Sequence, residues 1–186
     1  GMITTPVLYF SLYGLKIDGG VMITASHNPS DYNGFKAAIG KDVLSAAQIQ
    51  EIKNIIRSKS FIQNTNLGTI EELNLIDIYK KDILKSINLN KKIRLGVDCA
   101  NTPIGLFAKD IMSDAGCEVY ELYPEPNGDF PNHHPDPSVE ENLKDLVSLV
   151  KREELDFGIS FDGDADRIGV VDENGSFIYS DMVLLL

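Results

Sequence analysis

The chain has 186 residues, of which 43% are hydrophobic and 24% charged, and its formal net charge is −11. This is an ordinary globular composition, sufficient for one large domain or two modest ones with a buried core. The excess of acidic residues and the lack of a cluster of Lys and Arg in the sequence argue against a nucleic-acid partner, because phosphate backbones are bound through clustered cations.

The first predicted elements lead to a polar loop. Thr5 followed by Pro6 predicts the capped start of a short helix, with Thr5 as the cap. An apolar strand at residues 21–24, expected to be buried, then delivers the polar residues 25–30 at its carboxyl end. In open α/β sheets, ligands bind at that end of the strands.

The rest of the chain alternates between strand and helix patterns. Further strands are expected at residues 35–39, 93–98, 117–123, 156–161, 168–172 and 176–179, and helices at residues 45–57, 73–87, 104–115 and 138–151. The alternation is typical of βαβ units, and the turn Asn174-Gly175 predicts a closing hairpin, so we expect an α/β fold with a mixed sheet. Residues 58–70 are rich in Ser, Asn, Thr and Gly and predict a linker between two domains.

Three aspartates at alternate positions, Asp162, Asp164 and Asp166, lie between two of these strands. On extended backbone this spacing would aim all three carboxylates to one side. Carboxylate oxygens suit Mg²⁺ or Ca²⁺, and Mg²⁺ usually takes few protein ligands together with phosphate oxygens. The motif therefore predicts a cation site that works with a phosphate group.

Two other interpretations of this motif are open. A solvated turn between strands would contain the same residue types. An EF-hand loop would use the three aspartates with Glu173 at its twelfth position. Against that loop, Arg167 stands at the sixth position, where glycine is needed, and the flanking segments are strands rather than helices.

Ser26 is the candidate nucleophile of the polar loop. Its neighbour His27 is a poor base for it, because adjacent side chains usually point apart, and the Gly-x-Ser-x-Gly pattern of a hydrolase is absent. A phosphorylated Ser26 would supply the oxygen that the aspartates lack, with Lys36 and Arg167 offsetting the negative charge. The alternatives are a turn-forming hydroxyl for Ser26, a solvated side chain for Lys36 and a simple counter-ion role for Arg167.

The segment at residues 123–137 contains five prolines and is expected to form a long ordered loop. His133 and His134 within it have no carboxylate or cysteine at ligand spacing. Hydrogen bonds to backbone or carboxylate groups are therefore favoured over metal binding.

The two cysteines, Cys99 and Cys117, form no disulfide framework, and no signal peptide or membrane span is visible. A reducing, cytoplasmic location without a membrane partner is therefore expected.

Four motifs resemble those of the α-D-phosphohexomutase superfamily. They are TASHNP (residues 24–29), YNGFK (residues 32–36), FPNHHPDP with the following ENL (residues 130–143) and FDGDADR (residues 161–167). They occur in the family's order over essentially the whole chain. The third resembles the bacterial phosphomannomutase/phosphoglucomutase branch.

The resemblance implies three-layer α/β/α domains with mixed β-sheets and a phosphoserine site. Ser26 matches the serine that is phosphorylated in the resting enzyme. Asp162, Asp164 and Asp166 match the Mg²⁺ ligands, which a phosphoserine oxygen joins, so Ser26 also counts among the metal ligands.

The remaining matches concern the substrate. His27 and Lys36 match catalytic residues implicated in proton transfer or orientation, and Arg167, with Lys36, matches the residues near the transferred phosphoryl group. The implied reaction moves phosphate between O1 and O6 of a mannose or glucose phosphate through a hexose 1,6-bisphosphate. Ala165 stands where relatives commonly carry glycine.

Family enzymes have four domains. We expect residues 1–70 to be the carboxyl-terminal part of the first domain, residues 71–178 the second and residues 179–186 the start of the third, so that this fragment alone would have little or no activity. Two rival functions stay open: a haloacid dehalogenase-type phosphatase with Asp162 as the phosphorylated nucleophile, and a non-catalytic Ca²⁺-binding or interaction module. No oligomeric state is predicted.

Overall fold

The computed structural model describes residues 1–65 and 68–185. Among them are two sheets, one of three strands and one of five. The predicted linker is thus described except at residues 66 and 67, and the predicted start of a third domain except at residue 186. No helix or strand occurs among the described residues between Ser58 and Leu75. The division into domains stays a prediction.

The smaller sheet is antiparallel, its three strands lie side by side in chain order, and two helices flank it in sequence. The elements are α1 (Thr5–Gly14), β1 (Gly19–Ile23), β2 (Phe35–Ile39), β3 (Asp42–Val43) and α2 (Ala46–Ser58). Helix α1 covers one face of the sheet, because Val7, Leu8 and Leu12 are buried and a Cβ on Gly20 would contact the last two.

The predicted cap of α1 is wrong by one residue. Thr4 is the N-cap, and Thr5 is already helical, with Pro6 in the first turn. The displacement has a physical reason, since the backbone N–H of Thr5 donates to the carbonyl of Asp164 at 2.9 Å and its hydroxyl donates to the Asp164 carboxylate. A helix-terminal N–H is free for such a partner.

Helix α2 begins one residue later than predicted and has no buried face. Ser45 caps it in a capping box with Gln48. Its apolar positions recur at helical spacing, yet none of its residues is buried. They are Ile49, Ile52, Ile55 and Ile56, all exposed.

The larger sheet is mixed, as predicted, with the order β5-β4-β6-β7-β8. Its strands are β4 (Ile93–Asp98), β5 (Cys117–Leu122), β6 (Phe157–Phe161), β7 (Ile168–Asp172) and β8 (Phe177–Ile178). The first three run parallel, and β7 and β8 are antiparallel to their neighbours. Turn residues 173–176 join β7 to β8, which confirms the predicted hairpin.

Helices cover both faces of this sheet and form a three-layer arrangement. The helices are α3 (Leu75–Leu84), α4 (Ala108–Asp114), α5 (Lys144–Glu153) and α6 (Ser180–Val183). Leu95 and Val97 of β4 belong to one core, with α4, while Gly96 between them faces Leu146 of α5 on the other side. The alternation of strand side chains thus supplies both cores.

Two predicted helices begin differently from expectation. Short 3-10 turns, Pro103–Leu106 and Glu140–Leu143, precede α4 and α5.

Both cysteines are free thiols, and burial raises the pKa of Cys99 to about 12. None of the helices in the described part of the chain combines the length and apolar composition that a membrane crossing requires.

Candidate active site

Ser26 lies in the loop that joins β1 to β2. Its backbone is left-handed, with φ at 54°, and its N–H donates to the hydroxyl of Thr24 at 2.9 Å. The expectation that β1 is buried is wrong, because Val21 and Ile23 are exposed and only Met22 is buried. The loop is therefore held by its own hydrogen bonds and by the contacts described below.

The three aspartates lie in the turn that joins β6 to β7. The N–H of Asp162 donates to the carbonyl of Arg167 at 3.2 Å, and the N–H of Ala165 donates to the carbonyl of Asp162 at 3.1 Å. Ala165 has φ at 57°, in the left-handed region that favours glycine. The expectation that these residues have extended backbone is thus wrong. The carboxylates nevertheless converge, with one oxygen from each of the three within 4.8 Å of the others.

The two loops are in direct contact. The hydroxyl of Ser26 donates to Asp162 Oδ2 at 2.9 Å. A Cβ at Gly163 would lie 1.8 Å from the carbonyl oxygen of Ser26, which is far inside van der Waals contact. Only glycine therefore permits this approach of the aspartate turn to the serine loop.

Lys36, in β2, bridges two of the aspartates. Its Nζ lies 2.7 Å from Asp164 Oδ2 and 2.5 Å from Asp166 Oδ2. Burial by itself would lower the pKa of Lys36, but the hydrogen bonds to the two carboxylates outweigh it and the pKa is raised. The ammonium group therefore remains charged at neutral pH.

Asp164 is buried and incompletely satisfied. Its Oδ2 accepts from the hydroxyls of Thr5 at 2.7 Å and Thr24 at 3.2 Å, as well as from Lys36. Burial would raise its pKa, yet these partners hold the pKa below its usual value. Its Oδ1 is buried and has no hydrogen-bond partner among the residues that the structure describes. A buried carboxylate oxygen without a donor is suited to a cation.

Arg167 connects the aspartate turn to His27. Its Nε and Nη2 each lie 3.2 Å from Asp162 Oδ2, and Nη2 also contacts Nδ1 of His27, which is 3.3 Å from the hydroxyl of Ser26. Burial raises the pKa of Asp162, opposed by hydrogen bonds from Ser26 and the Arg167 backbone. Two cationic side chains thus contact the carboxylates, Arg167 at Asp162 and Lys36 at Asp164 and Asp166.

The structure brings all the sequence-predicted site residues together. They are Ser26, His27, Lys36, Asp162, Asp164, Asp166 and Arg167. Sequence reasoning missed Thr5, Thr24 and Asp136, the last of which lies 3.9 Å from Arg167 Nη1. Thr24 and Asp136 lie within the motifs TASHNP and FPNHHPDP, so their positions were a usable signal, whereas the local pattern at Thr5 indicates only a helix start.

Comparison with known proteins gives a consistent result. The profile described as "Phosphoglucomutase/phosphomannomutase, alpha/beta/alpha domain II" matches residues 76–175, and that of domain I matches residues 1–63. The chain is 45% identical over 186 residues to phosphomannomutase/phosphoglucomutase of Pseudomonas putida and 44% identical to phosphoglucomutase of Neisseria gonorrhoeae. These alignments cover 100% of the chain and 40% of each relative, so the chain spans about two fifths of the length of the relatives it matches.

The fold has solved counterparts as well. A phosphoglucomutase/phosphomannomutase family protein from Burkholderia thailandensis superposes with a TM-score of 0.91 at 38% identity. That superposition covers 97% of this chain and 41% of the other.

Proposed function

Because the chain belongs to the phosphoglucomutase/phosphomannomutase family, we propose that it carries the phosphoserine and the metal ligands of a Mg²⁺-dependent phosphohexomutase. The proposed reaction interconverts the 1-phosphate and 6-phosphate of mannose, glucose or both. The observation that carries the proposal is the 2.9 Å contact between the Ser26 hydroxyl and Asp162, beside two further carboxylates. Phosphoryl transfer depends mainly on positioning and on neutralising charge, and a hydroxyl next to a cation site serves both.

Asp162, Asp164 and Asp166 would hold Mg²⁺, together with an oxygen of phosphorylated Ser26. The donor set consists of oxygens alone, which suits Mg²⁺, and the partnerless Oδ1 of Asp164 fits a cation ligand. When bound, Mg²⁺ neutralises charge on the phosphoryl group that is transferred.

Each transfer step exchanges one phosphorus–oxygen bond for another. The phosphorus–oxygen bond to Ser26 Oγ breaks while a bond to a hydroxyl oxygen of the hexose phosphate forms, giving a hexose 1,6-bisphosphate. The proton of that hydroxyl passes to a base, for which His27 is the candidate, and finally reaches Ser26 Oγ. Lys36 is already protonated, so its role is to orient the reacting groups. The bisphosphate then reorients within the site. Its other phosphoryl group is transferred back to Ser26 Oγ by the reverse step, which leaves the isomeric hexose monophosphate.

Arg167 and Lys36 would balance the negative charge during the transfer. Lys36 contacts Asp164 and Asp166, and Arg167 contacts Asp162, so both cations lie beside the carboxylates that would hold the metal. Arg167 presents a planar group of several donors that matches phosphate oxygens, whereas Lys36 acts as a compact positive charge.

The test is a mutase assay on the full-length protein, with mannose 1-phosphate and glucose 1-phosphate as substrates, Mg²⁺ and a trace of the 1,6-bisphosphate. We expect conversion to the 6-phosphates, its loss in Ser26→Ala, and normal activity in the control Ser30→Ala, an exposed serine of the same loop. Full activity in Ser26→Ala would overturn the proposal.

A further inference from the structure

The proline-rich segment at residues 123–139, here called the proline loop, is tied to the end of β4. No helix or strand occurs within it. Asn101, just beyond β4, accepts from the side chain of Asn132 at 2.7 Å and donates to the carbonyl of Glu125 at 2.9 Å. The loop is thus ordered by specific contacts along its length rather than by regular structure.

A buried carboxylate anchors the middle of the proline loop. Asp98 is fully buried at the end of β4, and its Oδ2 lies 2.9 Å from Nε2 of His133. The same carboxylate accepts from the hydroxyl of Ser160 at 3.1 Å and from the N–H of Ala100 at 3.0 Å. The contact with Asp98 is an ion pair by distance without the geometry of a hydrogen bond, and the expected hydrogen bond of His133 is made by Nδ1, which lies 3.0 Å from the carbonyl oxygen of His134. The anchor links the loop to β6, the strand that leads into the aspartate turn.

Beyond the anchor, the loop packs against the start of β7. A Cβ at Gly169 would lie 2.6 Å from the carbonyl oxygen of Pro137, so glycine allows the loop to approach the strand closely. Asp136 therefore faces Arg167, with Oδ1 at 3.9 Å from Nη1. Asp136 is itself fixed, since its Oδ1 accepts from the N–H of Ser138 at 3.1 Å and from its hydroxyl at 2.6 Å.

The guanidinium group of Arg167 consequently lies between two carboxylates. Its Nε and Nη2 edge contacts Asp162, and its Nη1 faces Asp136. Arg167 is 40% exposed, so packing alone does not hold it. Asp162 and His27 contact only the Nε and Nη2 edge, so without Asp136 the Nη1 group would have no ion-pair partner among the described residues.

We propose that Asp136 is a positioning residue, which the proline loop holds through the Asp98–His133 anchor so that the Arg167 guanidinium stays directed at the transferred phosphoryl group. The inference rests on the proposed role of Arg167. Asp136 forms no hydrogen bond or ion pair with Ser26 or the three aspartates among the described residues, and its ion pair there is with Arg167.

The kinetic test uses the full-length protein and Asp136→Asn, which keeps an oxygen for Ser138 and removes the charge. We expect kcat/KM for hexose phosphate to fall about tenfold, as for other residues that orient a reacting group. The matched control is Asp129→Asn, an exposed aspartate of the same loop, and it should leave kcat/KM unchanged. An equal effect of both substitutions would overturn the inference.

A double-mutant cycle separates positioning from a merely structural role. In an Arg167→Ala background, Asp136→Asn should cause no further loss, because the residue through which it acts is missing. The same tenfold loss in both backgrounds would overturn the inference.

A second measurement does not depend on activity. In the 186-residue chain, the Nε–Hε signal of Arg167 should be observable by NMR at neutral pH and should broaden through solvent exchange in Asp136→Asn but not in Asp129→Asn. An unchanged signal in Asp136→Asn would contradict the positioning role. If the unaltered full-length protein converts no hexose phosphate, the proposed function fails, and this signal still decides the positioning claim.

Discussion

Helices α2 and α5 have similar apolar periodicity but opposite environments. In α5, Leu146, Leu149 and Val150 are buried against the five-stranded sheet, whereas α2, beside the three-stranded sheet, buries none of its residues. Periodicity thus identifies the face that can be buried, and a packing partner determines whether it is. The five-stranded sheet has helices on both faces, while the three-stranded sheet has α1 on one face and exposed apolar side chains on the other.

The candidate site is built from both regions. The aspartate turn belongs to the five-stranded sheet, which helices cover on both faces. Ser26 and Lys36 belong to the three-stranded sheet, which a helix covers on one face only. Contacts across the site, including that of Ser26 with Asp162 and that of Lys36 with Asp164, are therefore part of what holds the smaller sheet in place. We infer that the stability of the chain resides mainly in residues 93–178, and that the serine loop depends on its contacts with them.

Core truncation is expected to have the largest effect. Leu146 is fully buried between β4 and β6, so Leu146→Ala should lower the free energy of unfolding by about 2–5 kcal/mol. Ile52→Ala in α2 should change it by less than about 0.5 kcal/mol, because Ile52 is 43% exposed and alanine favours helix. Urea denaturation of the two variants measures both changes in the free energy of unfolding. Equal losses would contradict the contrast between the two helices.

Separating the two loops should have the next largest effect. In Gly163→Ala the new methyl group overlaps the backbone of Ser26, so we expect a loss of about 1–3 kcal/mol and faster amide exchange in residues 19–39. Gly128→Ala is the matched control, because a Cβ there has nothing within 4 Å. Unchanged exchange in Gly163→Ala would mean that the smaller sheet does not depend on the contact.

The smallest expected effect is the pH dependence of stability that comes from the contact of His133 with Asp98. Burial would lower the pKa of His133, but its contact with Asp98 outweighs burial and raises the pKa above the ordinary value of about 6.5. The folded chain therefore holds the proton more tightly than the unfolded chain. This contribution to stability is fully present below pH 6.5 and is lost as pH rises through the folded pKa.

Urea denaturation between pH 5.5 and 8.5 checks this sign. His133→Gln should remove that part of the pH dependence, and His134→Gln, at the exposed neighbouring position, should preserve it. A contribution that grows with pH and disappears in His133→Gln would contradict the assigned direction.

Much of the fold could be predicted because it follows from local patterns. Strands β2, β4 and β7 begin and end at the predicted residues, since apolar runs bounded by turn residues define them. The site residues were predictable because the chemistry is concentrated in three short motifs. The role of Thr5 was not, because its partner Asp164 lies 159 positions away. The exposure of α2 and the packing of Asp136 likewise depend on tertiary contacts rather than on the local sequence.

The most direct test of the central claim is peptide mass spectrometry of the full-length protein purified from cells. The account predicts one phosphoryl group on Ser26, lost when a hexose monophosphate is added and absent in Ser26→Ala. Phosphate on Asp162 would instead indicate an aspartate nucleophile. A Ser26 that stays unmodified after incubation with hexose 1,6-bisphosphate and Mg²⁺ would contradict the account.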